Sequence, residues 1–297
     1  MEVLRSTGAM RARSQELAAA GRRLALVPTM GALHQGHLAL VDAARAQADC
    51  VALSIFVNPA QFEDAADLAA YPRCESADLA ACRARGVDIA WLPPAAELYP
   101  EGAQTWVEVR ELQTPLCGRS RPGHFRGVAT VVAKLLLAAR PQIACFGQKD
   151  YQQLALVRRM VRDLHMGVSI IGVPTVREAS GLALSSRNAL LAKCARPQAL
   201  SLSRALGAAE RACARGEHGR EALLHIARGP IAAAGAALDY AELRCPESLA
   251  PAPPVLCAPT LLALAAFFPA AAPAQRVRLI DNRILTPAPS ARAGRED

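Results

Sequence analysis

Two histidines three residues apart, His34 and His37, stand in the word VPTMGALHQGH, between an apolar run and an amphipathic one. On the first turn of a helix that spacing puts both side chains on one face. Imidazoles there can donate N–H bonds to an anion, where unpaired amides and the helix dipole already favour negative charge. Zinc is another use for such a pair, but it needs a third and a fourth ligand. No Cys or acidic residue follows at a suitable spacing. Surface decoration is a third use. A place after a strand and a glycine turn favours phosphate, without naming a substrate.

Other chemistry-bearing residues also follow apolar runs. Lys149, after Gly147 and Gln148, is a compact cation that can reach phosphates. Asp150 could accept from ribose hydroxyls or cap the next helix, and the two uses are compatible. Asn58 and Gln61 either read a polar substrate or close an Asx-type turn. The basic, glycine-bearing stretch 118–127 suits an anion or a solvated surface loop equally. Ser185, Ser186 and Arg187 bring two hydroxyls and a guanidinium together, a weak signal by itself.

The elements that must carry these residues are legible from hydropathy. Short apolar runs at 24–27, 51–57, 87–92 and 143–146 read as buried parallel strands. A further strand is expected at 169–173 and a short one at 106–109. Helices are expected before the first of these strands, after the histidines, within 64–86 (broken at Tyr71-Pro72-Arg73), over 128–139 and over 151–166. Open sheets of this kind collect ligands at the carboxyl ends of their strands. Beyond Pro174 come helices near 196–215 and 220–236, then strands at 238–243, 260–268 and 277–285. The expected architecture is α/β, a Rossmann-like doubly wound parallel sheet over 1–174 with a smaller C-terminal α+β domain over 175–285. The tail 286–297, rich in Pro, Ala and Arg, is expected to be disordered.

Composition narrows the function classes. A chain of 297 residues with 52% hydrophobic content can bury a large core, and aromatics at 4% leave leucine, valine and alanine to pack it. The net charge of +8 suits a polyanionic substrate. The arginines are scattered, without a basic block interleaved with aromatics, which argues against nucleic acid. Nine cysteines form no CxxC pair; Cys50, Cys145 and Cys257 read as reduced packing residues in a cytoplasm. The uncharged stretch 248–275 carries many prolines, and its clean apolar part, 260–268, is far shorter than the ~20 residues of a membrane span. It reads as a buried strand. No signal peptide is expected, and the start reads as an ordinary first helix.

Taken in order, the words VPTMGALHQGH, SIFVNPAQF, YPR, SRPGHFRGV, FGQKDYQQL, GLALSSRN and RLIDN resemble those of the pantoate–β-alanine ligase family. The histidine pair alone would also suit class I aminoacyl-tRNA synthetases and cytidylyltransferases. The resemblance is thinner over 195–276, where 267–275 is longer and richer in proline than the usual family connection. It implies ATP-dependent ligation of pantoate and β-alanine through pantoyl adenylate, with Mg²⁺ and a homodimer, and neither nucleic acid nor membrane as partner. By the same resemblance Met30, Gly31, Ala32, Leu33, His34, Gln35, Gly36 and His37 cradle ATP, and His37 is the residue usually assigned as acid. Gly147 and Asp150 hold the ribose, with Gln148 beside them and Lys149 on the phosphates. Val176 and Leu184 line the nucleotide site, and Ser185, Ser186 and Arg187 close on the phosphates from the second domain. Gln61 and Gln153, with Asn58 nearby, bind the pantoate hydroxyls, while Phe56, Val131 and Val132 pack its methyl groups. The metal ligands are left unassigned.

Overall fold

The computed structural model describes residues 1–62, 68–69, 71–272 and 275–287. Its chain falls into two compact units: residues 1–176 together with 184–186, and residues 177–183 together with the chain from Arg187 on.

The first unit is built on six parallel strands in the order β1-β4-β3-β2-β5-β6. These are β1 (Glu2–Leu4), β2 (Leu24–Thr29), β3 (Cys50–Ile55), β4 (Ile89–Trp91), β5 (Ile143–Gly147) and β6 (Ser169–Val173). Its helices are α1 (Thr7–Ala19), α2 (Gln35–Arg45), α3 (Glu75–Ala84), the short α4 (Ala95–Leu98) and α5 (Cys117–Ser120), α6 (His124–Ala139) and α7 (Tyr151–Asp163). The inner strands are apolar without alternation because both faces are covered: Ala25, Leu26, Val27, Val51, Ala52, Leu53, Ala144 and Cys145 are all buried. After β2 the chain adds β3 and β4 on one side and β5 and β6 on the other. The sheet therefore switches direction between the carboxyl ends of β2 and β5, where such folds hold their ligands.

Pro28 helps to open that point. The β2–β3 ladder runs on to Thr29, whereas β2 and β5 pair only at Ala25 and Leu26. Thr29 accepts from the Phe56 amide on the β3 side, so the polar groups of Pro28 face the β5 side, past the end of that ladder. A residue without an N–H fits there and nowhere earlier in a central strand.

The second unit stacks two helices, α8 (Arg196–Ala214) and α9 (Arg220–Ala233), on a three-stranded antiparallel sheet. Its strands are β7 (Ala237–Arg244), β8 (Thr260–Pro269) and β9 (Arg276–Leu285). Leu202, Leu206, Leu223 and Ile231 pack with Leu262, Leu264 and Phe268 of the central strand β8. The guanidinium of Arg177 grips the buried carboxylate of Asp281 through two bonds of 2.6 and 2.9 Å and also donates to the Gly181 carbonyl. That clasp ties the hairpin of residues 177–183 to β9.

The α/β class, the parallel sheet and the uncharged buried strand β8 are as the sequence indicates, with several local departures. The chain opens on β1, three residues too short to show a period, and only then enters α1 at the Ser6 cap. Residues 106–109 are irregular, not a strand: the Val107 amide donates to Thr130 on α6, and Arg126 lies over the Trp106 ring. Helix α6 begins at His124, right after Gly123 at φ 79°, so the basic stretch is partly helical. Strand β2 passes through Pro28. Cys257 is exposed, whereas Cys50 and Cys145 are buried thiols. Of the helix expected within 64–86 only α3 is described as an element, with residues 63–67 and 70 outside the described set, as are 288–297 of the tail. Among the described residues no helix is long and apolar enough to cross a membrane.

Replacing Asp281 by alanine would leave the Arg177 charge without its partner, a change that costs about 3–5 kcal/mol for a buried pair. Urea unfolding of Asp281→Ala should show a loss of that order, and an unchanged midpoint would contradict the role given to the clasp.

Candidate active site

The turn between β2 and α2 is closed by its own polar groups together with one carboxylate from α3. The Gly31 amide donates to Thr29 Oγ1 at 3.2 Å, and the amides of Ala32 and Leu33 donate to the Asp78 carboxylate at 2.9 and 2.8 Å. His34 is the N-cap of α2: its Nδ1 accepts from the Gly36 amide at 3.1 Å. Nδ1 of His37 accepts from the His34 amide at 3.3 Å, and the His37 amide donates to the His34 carbonyl. This is a capping box in which imidazoles replace the usual hydroxyl and carboxylate.

The reciprocal bonds fix the chemistry of both rings. A nitrogen that accepts from an amide carries no proton, so in each neutral imidazole the proton sits on Nε2. The rings stack at 4.1 Å between centroids. Burial holds both below the ordinary imidazole range. For His34 the charge of Lys149 adds to burial, opposed by Asp150. For His37 burial, then His34, bring the value down to about 3. Two neutral Nε2–H donors therefore head the helix, while the amides of Gly31, Ala32, Leu33, His34, Gly36 and His37 are taken up by Thr29, Asp78 and the two histidines. The sequence suggests outward amides at this helix start; here six of them have partners and the imidazole Nε2–H groups stand as further donors. Each ring draws on an amide through Nδ1 and presents the resulting donor at its far side.

Gly36 is required by this packing. A Cβ there would lie 2.8 Å from Cε1 and 2.9 Å from Nδ1 of His34, and 3.9 Å from the Leu184 Cβ. Leu184 therefore lies at the head of α2, its amide bonded to the Val176 carbonyl at 2.9 Å. Ser185 and Ser186 group with this unit and the exposed Arg187 with the second, so the division of the chain runs inside the Ser-Ser-Arg word.

At the end of β5, residues Gln148–Asp150 form one 3-10 turn. Lys149 is largely covered, 16% exposed in its side chain, with Nζ 3.8 Å from the Asp150 carboxylate. Both charges reach the two imidazoles. Asp150 stands at the N-cap position of α7 but makes no capping bond with its side chain, which corrects the expectation of a side-chain cap and leaves its half-exposed carboxylate to other partners.

After β3, Asn58 is 1% exposed. It accepts from the Ala60 amide and donates to the Gly127 carbonyl and to Gln61 Oε1. The Asx-turn alternative describes it: Asn58 holds Gln61 in place, with its own amide turned inward. Gln61 Nε2 lies 2.6 Å from the Met30 sulfur. The Gln61 carbonyl accepts from His124 Nδ1 at 2.8 Å, while Arg121 donates to His124 Nε2 at 3.1 Å. Because a carbonyl only accepts and a guanidinium only donates, this ring carries its proton on Nδ1, opposite to the other two. The basic stretch thus buttresses the Gln61 loop. Gly127 lets α6 approach it, since a Cβ would collide with the Ala60 carbonyl.

Phe56 is buried beside Tyr99, and Val131 and Val132 are buried on α6. Gln153 is half-buried on α7; its neighbour Gln152, unremarked in the sequence, is buried and binds the Leu112 and Pro115 carbonyls and the Cys117 amide. Asp78, Thr29, Gln152 and His124 all have structural work that sequence spacing does not announce. Among the described residues no group of three His, Cys, Asp or Glu could hold a metal ion.

A parallel sheet with its ligand end at a switch point, and an imidazole pair heading the helix after the central strand, define an enzyme of nucleotidyltransferase-like fold. A family model described as pantoate-beta-alanine ligase matches residues 2–284. A pantothenate synthetase of Syntrophobacter fumaroxidans is 47% identical over 97% of this chain and 100% of its own. One from Myxococcus xanthus is 50% identical over 88% of each. The chain belongs to the pantoate–β-alanine ligase family. Among solved structures, a pantothenate synthetase from Thermus thermophilus superposes with a TM-score of 0.88 at 42% identity, over 97% of this chain and 100% of that one. The Francisella tularensis ligase, solved in complex with beta-gamma ATP and beta-alanine, gives 0.75 at 32% identity over 96% and 97%.

On an open helix, Gly36→Ala would stabilise by about 1 kcal/mol through helix propensity. Here the added methyl displaces the His34 ring and its cap, so the expected change has the opposite sign, a loss of about 1 kcal/mol. Thermal unfolding of the variant reads that sign directly; a stabilised protein would show that the ring does not need the space.

Proposed function

We propose that the protein joins pantoate to β-alanine with ATP, in two steps at the head of α2. In the first, a pantoate carboxylate oxygen forms a bond to the α-phosphorus of ATP as the bond to the bridging oxygen breaks and pyrophosphate leaves. In the second, the β-alanine amine attacks the carbonyl carbon of pantoyl adenylate, the amide forms, AMP leaves and the amine proton is released. A carboxylate is a poor electrophile until one of its oxygens departs with AMP, so the protein's task is to hold the two reactants in line and to take up negative charge.

The observation that carries this reading is the pair of neutral Nε2–H donors at the ligand end of β2, within reach of the Lys149 charge. In it, residues 30–37 cradle ATP, and His34, His37 and Lys149 bond its phosphates. His37, which burial keeps neutral in the nucleotide-free protein, offers the phosphates its Nε2–H as a donor. Asp150 and Gly147 take the ribose, and Val176 and Leu184 flank the base. Ser185, Ser186 and Arg187 add donors to the phosphates. Gln61, fixed by Asn58 and Met30, and Gln153 take the pantoate hydroxyls, against Phe56, Val131 and Val132. Mg²⁺ would come with the nucleotide and, bound, would neutralise phosphate charge. A homodimer in the cytoplasm completes the reading.

The test is incubation with ATP, Mg²⁺, pantoate and β-alanine, each omitted in turn. AMP, pyrophosphate and an amide product are expected only with the full set, and a product that retains the nucleotide would contradict the ligation. Three variants probe the donors. Lys149→Ala and His37→Asn, which keeps an acceptor near the Nδ1 position but no distal donor, should each lower kcat/KM ~10²–10³-fold. His37→Gln, whose amide reaches near Nε2, should retain about tenfold more activity than His37→Asn. Equal loss in the two histidine variants would contradict the donor role.

A further inference from the structure

We propose that Asp78, on α3, is the positioning residue of the nucleotide-binding turn: by accepting the Ala32 and Leu33 amides it fixes where α2 starts, and with it where both imidazoles point. The inference rests on the reading of residues 30–37 as the ATP cradle. Asp78 is 3% exposed, lies 46 residues beyond Ala32 and 45 beyond Leu33, and uses one carboxylate oxygen for each amide. Charge-assisted bonds of this kind are the strong ones.

The turn needs such a hold. Gly31 and Ala32 have φ of 81° and 51° in succession; glycine adopts that region freely, but alanine resists it. Release of the carboxylate would free Ala32 to leave the left-handed region and leave two amides without their acceptor. The turn is also moulded around the carboxylate, since a Cβ on Gly31 would come within 2.8 Å of Asp78 Oδ2. Leu33 immediately precedes the His34 cap, so a shift of its amide is passed at once to the imidazole that accepts from Gly36. Both Asp78 oxygens face the turn. It therefore acts through the turn, without touching substrate.

The test compares the full chain with Asp78→Asn, Ala32→Gly and the double variant, by steady-state kinetics and by hydrogen exchange at the peptide level. Asparagine turns an N–H₂ toward one of the two amides, so Asp78→Asn should lower kcat/KM for ATP about tenfold to a hundredfold. KM for β-alanine should stay within about twofold. Peptides spanning 30–34 should lose exchange protection while those of β3 and β5 keep theirs. Ala32→Gly removes the backbone penalty, so in the Asp78→Asn background it should restore about fivefold or more. Unchanged ATP kinetics with an unchanged turn would overturn the proposal. So would a parallel rise in both KM values with protection lost throughout the sheet, which is ordinary destabilisation. A wild-type protein that forms no AMP would refute the ligase reading, while the exchange measurement would still decide whether Asp78 holds the turn.

Discussion

Every polar group at the start of α2 has to find a partner, and the way this is met shapes the rest of the unit. Most helices satisfy their first amides with a hydroxyl or carboxylate. Here two ring nitrogens do so, at His34 and His37. That choice sets the tautomer of both rings, requires a residue without a side chain at Gly36, and converts amide donors at the helix end into donors one ring farther out. The cost in charge is small because burial keeps both imidazoles neutral.

The surrounding elements serve that geometry. Strand β2 brings the turn to the switch point, and Pro28 lets β5 part from it there. The 3-10 turn after β5 sets Lys149 where its charge reaches both rings. Helix α6 supports the Gln61 loop through Gly127 and His124, and Arg121 before the helix braces His124. In each case a residue whose type suggests chemistry stands beside another whose role is to hold it: Asn58 beside Gln61, Asp78 beside the turn. Groups fixed before substrate arrives need little reorganisation in the transition state.

Much of this was legible in the sequence. Unbroken apolar runs disclosed the inner strands because covered parallel strands carry no alternation. The histidine word disclosed a strand, a turn and a helix start because its glycine and apolar spacing are local. What was not legible depends on distance along the chain or on choice between neighbours. Asp78 is invisible because its partners lie more than forty positions away. Asn58 fits a substrate ligand or an Asx-type turn equally well until burial and its bonds to Ala60, Gly127 and Gln61 show the turn. Gln152 and Gln153 are indistinguishable in a string, yet the first is committed to three backbone groups. The stretch 106–109 carries a strand's residue types but docks on a helix through Thr130, a tertiary preference that local propensity does not contain. Polar His124, exposed Arg126 and Gly127 masked the first turn of α6.

The tautomer of the two imidazoles is the claim on which the site depends, and nitrogen-15 NMR of the histidine side chains reads it directly. At about pH 8, His34 and His37 should each show a proton-free Nδ1 and a protonated Nε2; on acidification His34 should take up its second proton below the ordinary imidazole range, and His37 none until about pH 3. A proton on Nδ1 of either ring before acidification, or a His37 that titrates near its ordinary value of 6.5, would contradict the assignment.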